Sequence, residues 1–220
     1  MNDRLTNGAG RAQRRADARR LEILRAAARV FRRSGFAGAG MREIAAEADL
    51  SPGNLYHYFK GKHEILYFCQ DRSLDVMIAA LETARLSGQP ASEQLRQVIE
   101  AHVRCLIDEL EGSAAHLEVD ALPAPLRKRI VLKRDRYERG IRRLVASGMR
   151  RGELARTDVK LVTRAILGAA NWTARWFHPE GPRSASAVAE GLAEYLVRGL
   201  AARLPKKAGR GRAAGSQART

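Results

Sequence analysis

Apolar residues recur at helical intervals along most of the chain. From Arg19 to Ser34, Leu21, Leu24, Ala28 and Phe31 return every three or four positions, with Arg20, Arg25, Arg29, Arg32 and Arg33 on the remaining surface. That spacing predicts a helix, which Gly35 ends. Met41 to Ala48 repeats the pattern more briefly, setting Ile44, Ala45 and Ala48 against Arg42, Glu43 and Glu47. Only Asp49, Leu50 and Ser51 separate this short helix from the next, so the two must cross steeply, as in a helix-turn-helix. Ser51 is a favoured N-cap, Pro52 suits the first helical position, and Leu55 and Phe59, four apart, can dock on the preceding helix.

A longer run opens at Lys62 and carries Ile65, Leu66, Cys69, Leu74, Met77, Ile78 and Leu81 to about Arg85. It outlasts the needs of a three-helix unit, so it is expected to tie that unit to the rest. Ser87-Gly88-Gln89-Pro90 breaks it. Helical periodicity resumes from Ser92 to Leu110, in a short segment from Ala114 to Leu122, and from Leu126 to Arg150, closing near Gly152. Thr157 or Asp158 caps a helix with a broad apolar face that includes Val159, Val162, Ile166, Trp176 and Phe177. A last helix runs from Ser184 through Val188, Leu192, Tyr195, Leu196 and Leu200.

The pattern predicts an all-α chain of about nine helices, with an N-terminal three-helix domain at 19–66 and a larger helical domain at 67–204. Two consecutive helices with wide apolar faces near the chain end carry more apolar surface than one subunit covers. They predict a homodimeric four-helix bundle. Residues 1–18 and 205–220 lack an apolar face and are expected to be a disordered basic arm and a disordered basic tail.

Charge sharpens this picture. The net charge of +16 is uneven: residues 1–62 hold 13 Lys and Arg against 6 Asp and Glu, and residues 203–220 hold 6 against none. Positive charge at the helix-turn-helix end suits phosphate neutralisation, although a general richness in Arg explains it as well. No apolar signal core follows the N-terminal arginines, and the uncharged stretch within the helix after Asp158 is too short to span a bilayer. A soluble cytoplasmic chain without a membrane partner is expected. Cys69 and Cys105 match no metal spacing and read as small apolar residues, so no metal or cofactor is expected.

With Leu55 and Phe59 docked inward, Asn54, Tyr56, His57 and Lys60 point outward. Asn can pair with an adenine edge in the major groove of double-stranded DNA, while Tyr, Lys and the backbone N–H groups near Ser51 and Gly53 can hold phosphates. Arg42 and Lys62 are placed for further phosphate contacts. The alternative is that Tyr56, Tyr58 and Phe59 form an aromatic knot in a small core.

The stretch from Gly35 to Leu66 resembles the DNA-binding domain of TetR-family transcriptional regulators. The resemblance rests on Gly35-Phe36, Arg42-Glu43-Ile44-Ala45, Leu55-Tyr56-His57-Tyr58-Phe59 and Lys62. Gly40 stands where that family usually has Thr or Ser, and Asp49 where it usually has Gly. SGMRRGELARTD, from Ser147, also resembles the turn before the last two helices of many TetR-family proteins. The resemblance implies a homodimeric repressor on a palindromic operator, with a small-molecule effector enclosed by the middle helices.

Candidate effector contacts are polar or aromatic residues among apolar ones: His102, Tyr137, Asn171, Trp172, Arg175 and Trp176. Core packing or dimer contact is the competing reading of each. Asn171 to Phe177, followed by HPEGP, is similar to the corresponding helix of a TetR subgroup that senses acyl-CoA thioesters. The similarity implies that Arg175 meets a phosphate or carbonyl and that Trp172 and Trp176 flank a flat group or acyl chain.

An enzyme is the first rival class, but no nucleophile elbow, phosphate loop, HExxH or paired-cysteine motif is present, so no catalytic residue is expected. A DNA-binding regulator without a ligand is the second, and would fill its middle with large apolar side chains.

Overall fold

The computed structural model describes residues 3–107 and 118–201. The described residues form eight α-helices: α1 (Asp3–Gly38), α2 (Met41–Glu47), α3 (Pro52–Tyr58), α4 (Lys62–Leu86), α5 (Ala91–Ile107), α6 (Ala124–Arg150), α7 (Val159–Trp176) and α8 (Ala185–Arg198). The all-α class holds, with eight helices where about nine were expected. Residues 114–117 of the segment expected from Ala114 to Leu122 lie outside the described residues, and the remainder holds a 3-10 turn at Val119–Ala121. The expected tail at 205–220 also lies outside them.

The first helix begins at Asp3 rather than Arg19. Residues 1–18 lack an apolar face, which argued for an irregular arm, but Ala and Arg have high helix propensity. Gln13 also bonds Asp17 one turn on, at 2.9 Å. Gly35, at φ 67°, ends the regular part of α1 as expected. The buried face of α1 is Ile23, Ala26, Ala27, Ala28, Val30 and Phe31, so Ala28 and Phe31 of the expected stripe are buried while Leu21 and Leu24 are only half-buried. The face is broader than the expected stripe because α1 packs on α2 and α4 together.

Ser51 caps as expected, Asp158 rather than Thr157 caps α7, and Ser184, expected only as a helix start, caps α8. Ser51 Oγ accepts from Asn54 N at 3.2 Å, Asp158 Oδ1 from Lys160 N at 2.7 Å, and Ser184 Oγ from Ala187 N at 3.2 Å. Asp49 takes the left-handed conformation, φ 53°, that the turn between α2 and α3 requires.

Beyond the three-helix unit, α5 is central, packed on α4, α6, α7 and α8. Gly148 lets the end of α6 close on its neighbours, since a Cβ there would stand 2.7 Å from both Ala91 Cβ and Leu154 Cδ1. A buried apolar cluster runs unbroken from Ile23 to Ala193, through both the three-helix unit and the larger bundle. Its continuity passes through α4, which buries Ile65, Leu66, Leu74, Met77 and Leu81. No described helix is long and apolar enough to cross a membrane.

Candidate nucleic-acid interface and ligand cavity

α2 is held against α1 by charge. Arg29 pairs with Glu47 at 2.7 Å, Arg33 with Glu43 at 2.9 Å, and Arg19 Nη2 donates to the carbonyls of Ala48 and Asp49 that end α2. Arg33 and the Ser34 hydroxyl hold the Glu43 carboxyl below the usual carboxylate range. The charges of Glu43 and Glu47 are thereby paired within the unit.

On that surface, α3 buries Leu55, and Phe59 follows it into the core. Ser51, Gly53, Asn54, Tyr56, His57 and Lys60 are all exposed, as is Arg42 on α2. Tyr56 is 54% exposed, so it does not belong to an aromatic knot. These exposed residues offer an amide, a phenol, an imidazole and two cations.

Lys62 departs from its expected role. Its Nζ donates to the carbonyls of Phe36, Ala37 and Ala39 at 3.0, 3.1 and 3.0 Å, and stands 4.9 Å from the centre of the Phe36 ring. An ammonium has three N–H donors, and all three are used. The turn after Gly35 leaves carbonyls without helical partners, and Lys62 satisfies them.

In the larger domain, three of the six expected ligand residues meet. His102 Nδ1 lies 3.2 Å from the Tyr137 hydroxyl and Nε2 lies 3.0 Å from Asn171 Oδ1. They border a cavity of about 210 Å³ that Leu74 and Met77 of α4, with Arg134, Glu138 and Leu167, help to line. Burial pulls the His102 imidazole down to about 4; the Asn171 bond opposes this and the nearby Arg134 charge adds to it. The neutral ring then has one arrangement that satisfies both bonds: Tyr137 O–H donates to Nδ1 and Nε2–H donates to Asn171. Burial also pushes the Tyr137 phenol up.

Trp172, Arg175 and Trp176 stand outside this cavity, with Trp172 63% and Trp176 47% exposed. Ile166, Ala170 and Thr173 define the buried side of α7. At about 100° per residue, Trp172 and Arg175 therefore face away from it. Arg134 and Glu138 were missed; the available signal was the spacing of three between Arg134 and Tyr137 and of four between Arg134 and Glu138 on one helix.

Residues 23–67 match the family model described as bacterial regulatory proteins, tetR family, and residues 88–200 match that of the tetracyclin repressor-like C-terminal domain. The fatty acid metabolism regulator protein of Bacillus subtilis (strain 168) is 26% identical over 183 residues, covering 82% of this chain and 94% of its own. The crystal structure of the TetR family transcriptional regulator PfmR from Thermus thermophilus superposes with a TM-score of 0.72 at 33% identity, covering 80% of this chain and 97% of that one. AibR, crystallised with isovaleryl coenzyme A and operator DNA, shares the fold with a TM-score of 0.68 at 22% identity, covering 81% of this chain and 98% of its own.

Proposed function

Since the chain belongs to the TetR family of transcriptional regulators and is a DNA-binding regulator, we propose that it acts as a homodimeric repressor. In this reading a small-molecule effector, an acyl-CoA thioester, releases it from a palindromic operator. The observation that carries the proposal is the polar, solvent-facing surface of α3, set on a unit that shares its core with a ligand-sized cavity through α4.

Leu161, Trp172 and Trp176 of α7 and Tyr195 of α8 are exposed large apolar side chains on the two helices expected to dimerise. Covering them against a second copy removes apolar area from water and fixes the distance between two recognition helices.

The cavity suits the acyl end of an effector better than a whole thioester, since complete small-molecule sites occupy about 300–1,000 Å³. The fold shared with a protein that holds isovaleryl coenzyme A can accommodate such a molecule. The Asn171 amide N–H groups remain to meet a carbonyl once its oxygen accepts from His102.

Coupling to DNA would run through α4. Leu74 and Met77 line the cavity, and Lys133 of α6 grips Asp71 and Asp75 of α4 at 2.7 and 2.8 Å. A ligand that prefers a different seating of α6 on α4 shifts the spacing of the DNA-binding units by as much as its differential affinity allows.

The test is binding to the DNA upstream of the protein's own gene, at one fixed salt concentration, with and without a panel of acyl-CoA thioesters. Specific binding released by one thioester supports the proposal; specific binding that none releases removes the thioester. Tyr56→Ala should weaken binding about tenfold on every sequence, and Asn54→Ala should lose about 1–3 kcal/mol of discrimination at one base pair. Wild-type binding by both variants would overturn the α3 assignment.

A further inference from the structure

Six cations line one concavity of the larger domain. It is a cleft of about 950 Å³ between the end of α4, the last three turns of α6 and the start of α7. Arg85 comes from α4, Arg142, Arg143 and Arg150 from α6, Arg151 from the residue after it, and Lys160 from α7. Glu82 is the one carboxylate in the lining, and Arg85 already holds it at 2.9 Å. Arg142 is paired with Glu138, and Arg151 with Glu153 at 2.7 Å, from outside the lining.

Arg143 and Arg150 have no carboxylate within ion-pair distance among the described residues, and both are exposed. Spaced seven apart, they stand on one side of α6 two turns from each other. Arg142 adds a buried Nε with no hydrogen-bond partner. Leu81, Leu144 and Val159 give the cleft an apolar floor. Gly140 lets α6 approach α4 there, since a Cβ would stand 2.3 Å from Leu81 Cδ2.

This charge does not belong to the DNA-binding surface. Leu81 and Arg85 lie toward the far end of α4 from Lys62, and at about 1.5 Å per residue Leu81 is about 28 Å along the axis from it. A solvated rim of arginines would be convex and would lack an apolar floor. Here like charges converge on a hollow, which raises the potential inside it and concentrates anions.

We propose that this cleft is a further binding site, separate from the His102 cavity, for a small organic polyphosphate. The unpaired Arg143 and Arg150 hold its phosphate groups, and the Leu81–Leu144–Val159 floor takes its organic part. Planar guanidinium groups fit phosphate oxygens two at a time, and the volume matches a nucleotide-sized ligand.

The experiment is calorimetric titration of the full-length protein with ATP, coenzyme A and pyrophosphate at one salt concentration. It compares the wild type, an Arg143→Glu/Arg150→Glu pair, and an Arg42→Glu/Lys60→Glu pair on the α3 side. The expected result is saturable binding that the cleft pair weakens at least tenfold and the α3-side pair leaves unchanged. Operator affinity and thermal midpoint of the cleft pair should equal those of the wild type. Should that pair fail to fold, Arg143→Gln/Arg150→Gln carries the same test with a smaller loss.

Pyrophosphate binding as tightly as ATP supports a site that reads phosphate charge alone. Tighter binding of ATP or coenzyme A supports use of the apolar floor. Absence of saturable binding by all three probes, equal binding by the cleft pair, or loss in the α3-side pair instead would overturn the proposal.

Discussion

Replacing Lys62 with methionine is expected to destabilise the protein by about 3 kcal/mol and to abolish operator binding by loosening the helix-turn-helix. Each hydrogen bond from a charged donor contributes about 1.5–3 kcal/mol, and Lys62 makes three to backbone carbonyls. Its half-buried position lets water replace much of that, which brings the total below the simple sum of three such bonds. Methionine keeps the stem over Phe36 but leaves the carbonyls of Phe36, Ala37 and Ala39 without their donor. For a chain of this length the loss corresponds to a fall of roughly 6–12 °C in thermal midpoint. A lysine that served a phosphate instead would give an unchanged midpoint and a salt dependence shallower by about 0.9 in its log–log slope. Those two outcomes exclude one another, and the melting curve alone decides between them.

The sequence read most clearly where one local rule governed the outcome. Ser51, Asp158 and Ser184 cap helices because a hydroxyl or carboxylate within three residues of a free N–H needs no tertiary partner. Asp49 adopts a left-handed turn because three residues between crossing helices leave little choice. The outward set on α3 followed from Leu55 and Phe59 alone.

Reading was poorest where the partner lies far along the chain. Lys62 is fixed by carbonyls 23 to 26 positions away, and nothing in its own helix signals them. The α7 cluster shows the same limit. Asn171, Trp172, Arg175 and Trp176 are equally good ligand candidates as letters, but only Asn171, one turn from Leu167, reaches the cavity beside His102. Periodicity gave α7 a broad face without saying which part of it a neighbour covers. The cationic cleft was equally hidden, because its charges come from three helices and look like ordinary solvated faces on each.

Lowering the pH from 7 to 5 is expected to remove about 2 kcal/mol of stability through His102 alone. The ring has a folded-state value of about 4, against about 6.5 for an unperturbed histidine, so the unfolded chain takes up the proton first as pH falls. This contribution is fully present above about pH 6.5 and is lost progressively toward pH 4. Urea unfolding at pH 7 and pH 5 should show the loss in the wild type. His102→Gln should be less stable at pH 7 but should lack the part of the pH dependence that His102 supplies. An equal fall in both proteins would show that other groups govern the acid limb. A protonated ring would also lose its bond from Tyr137, since both nitrogens would then donate, and would stand as a second cation beside Arg134. That repulsion acts between α5 and α6, next to the Leu74 and Met77 side chains of α4. Acid should therefore weaken operator binding before it unfolds the chain, and should do so less in His102→Gln.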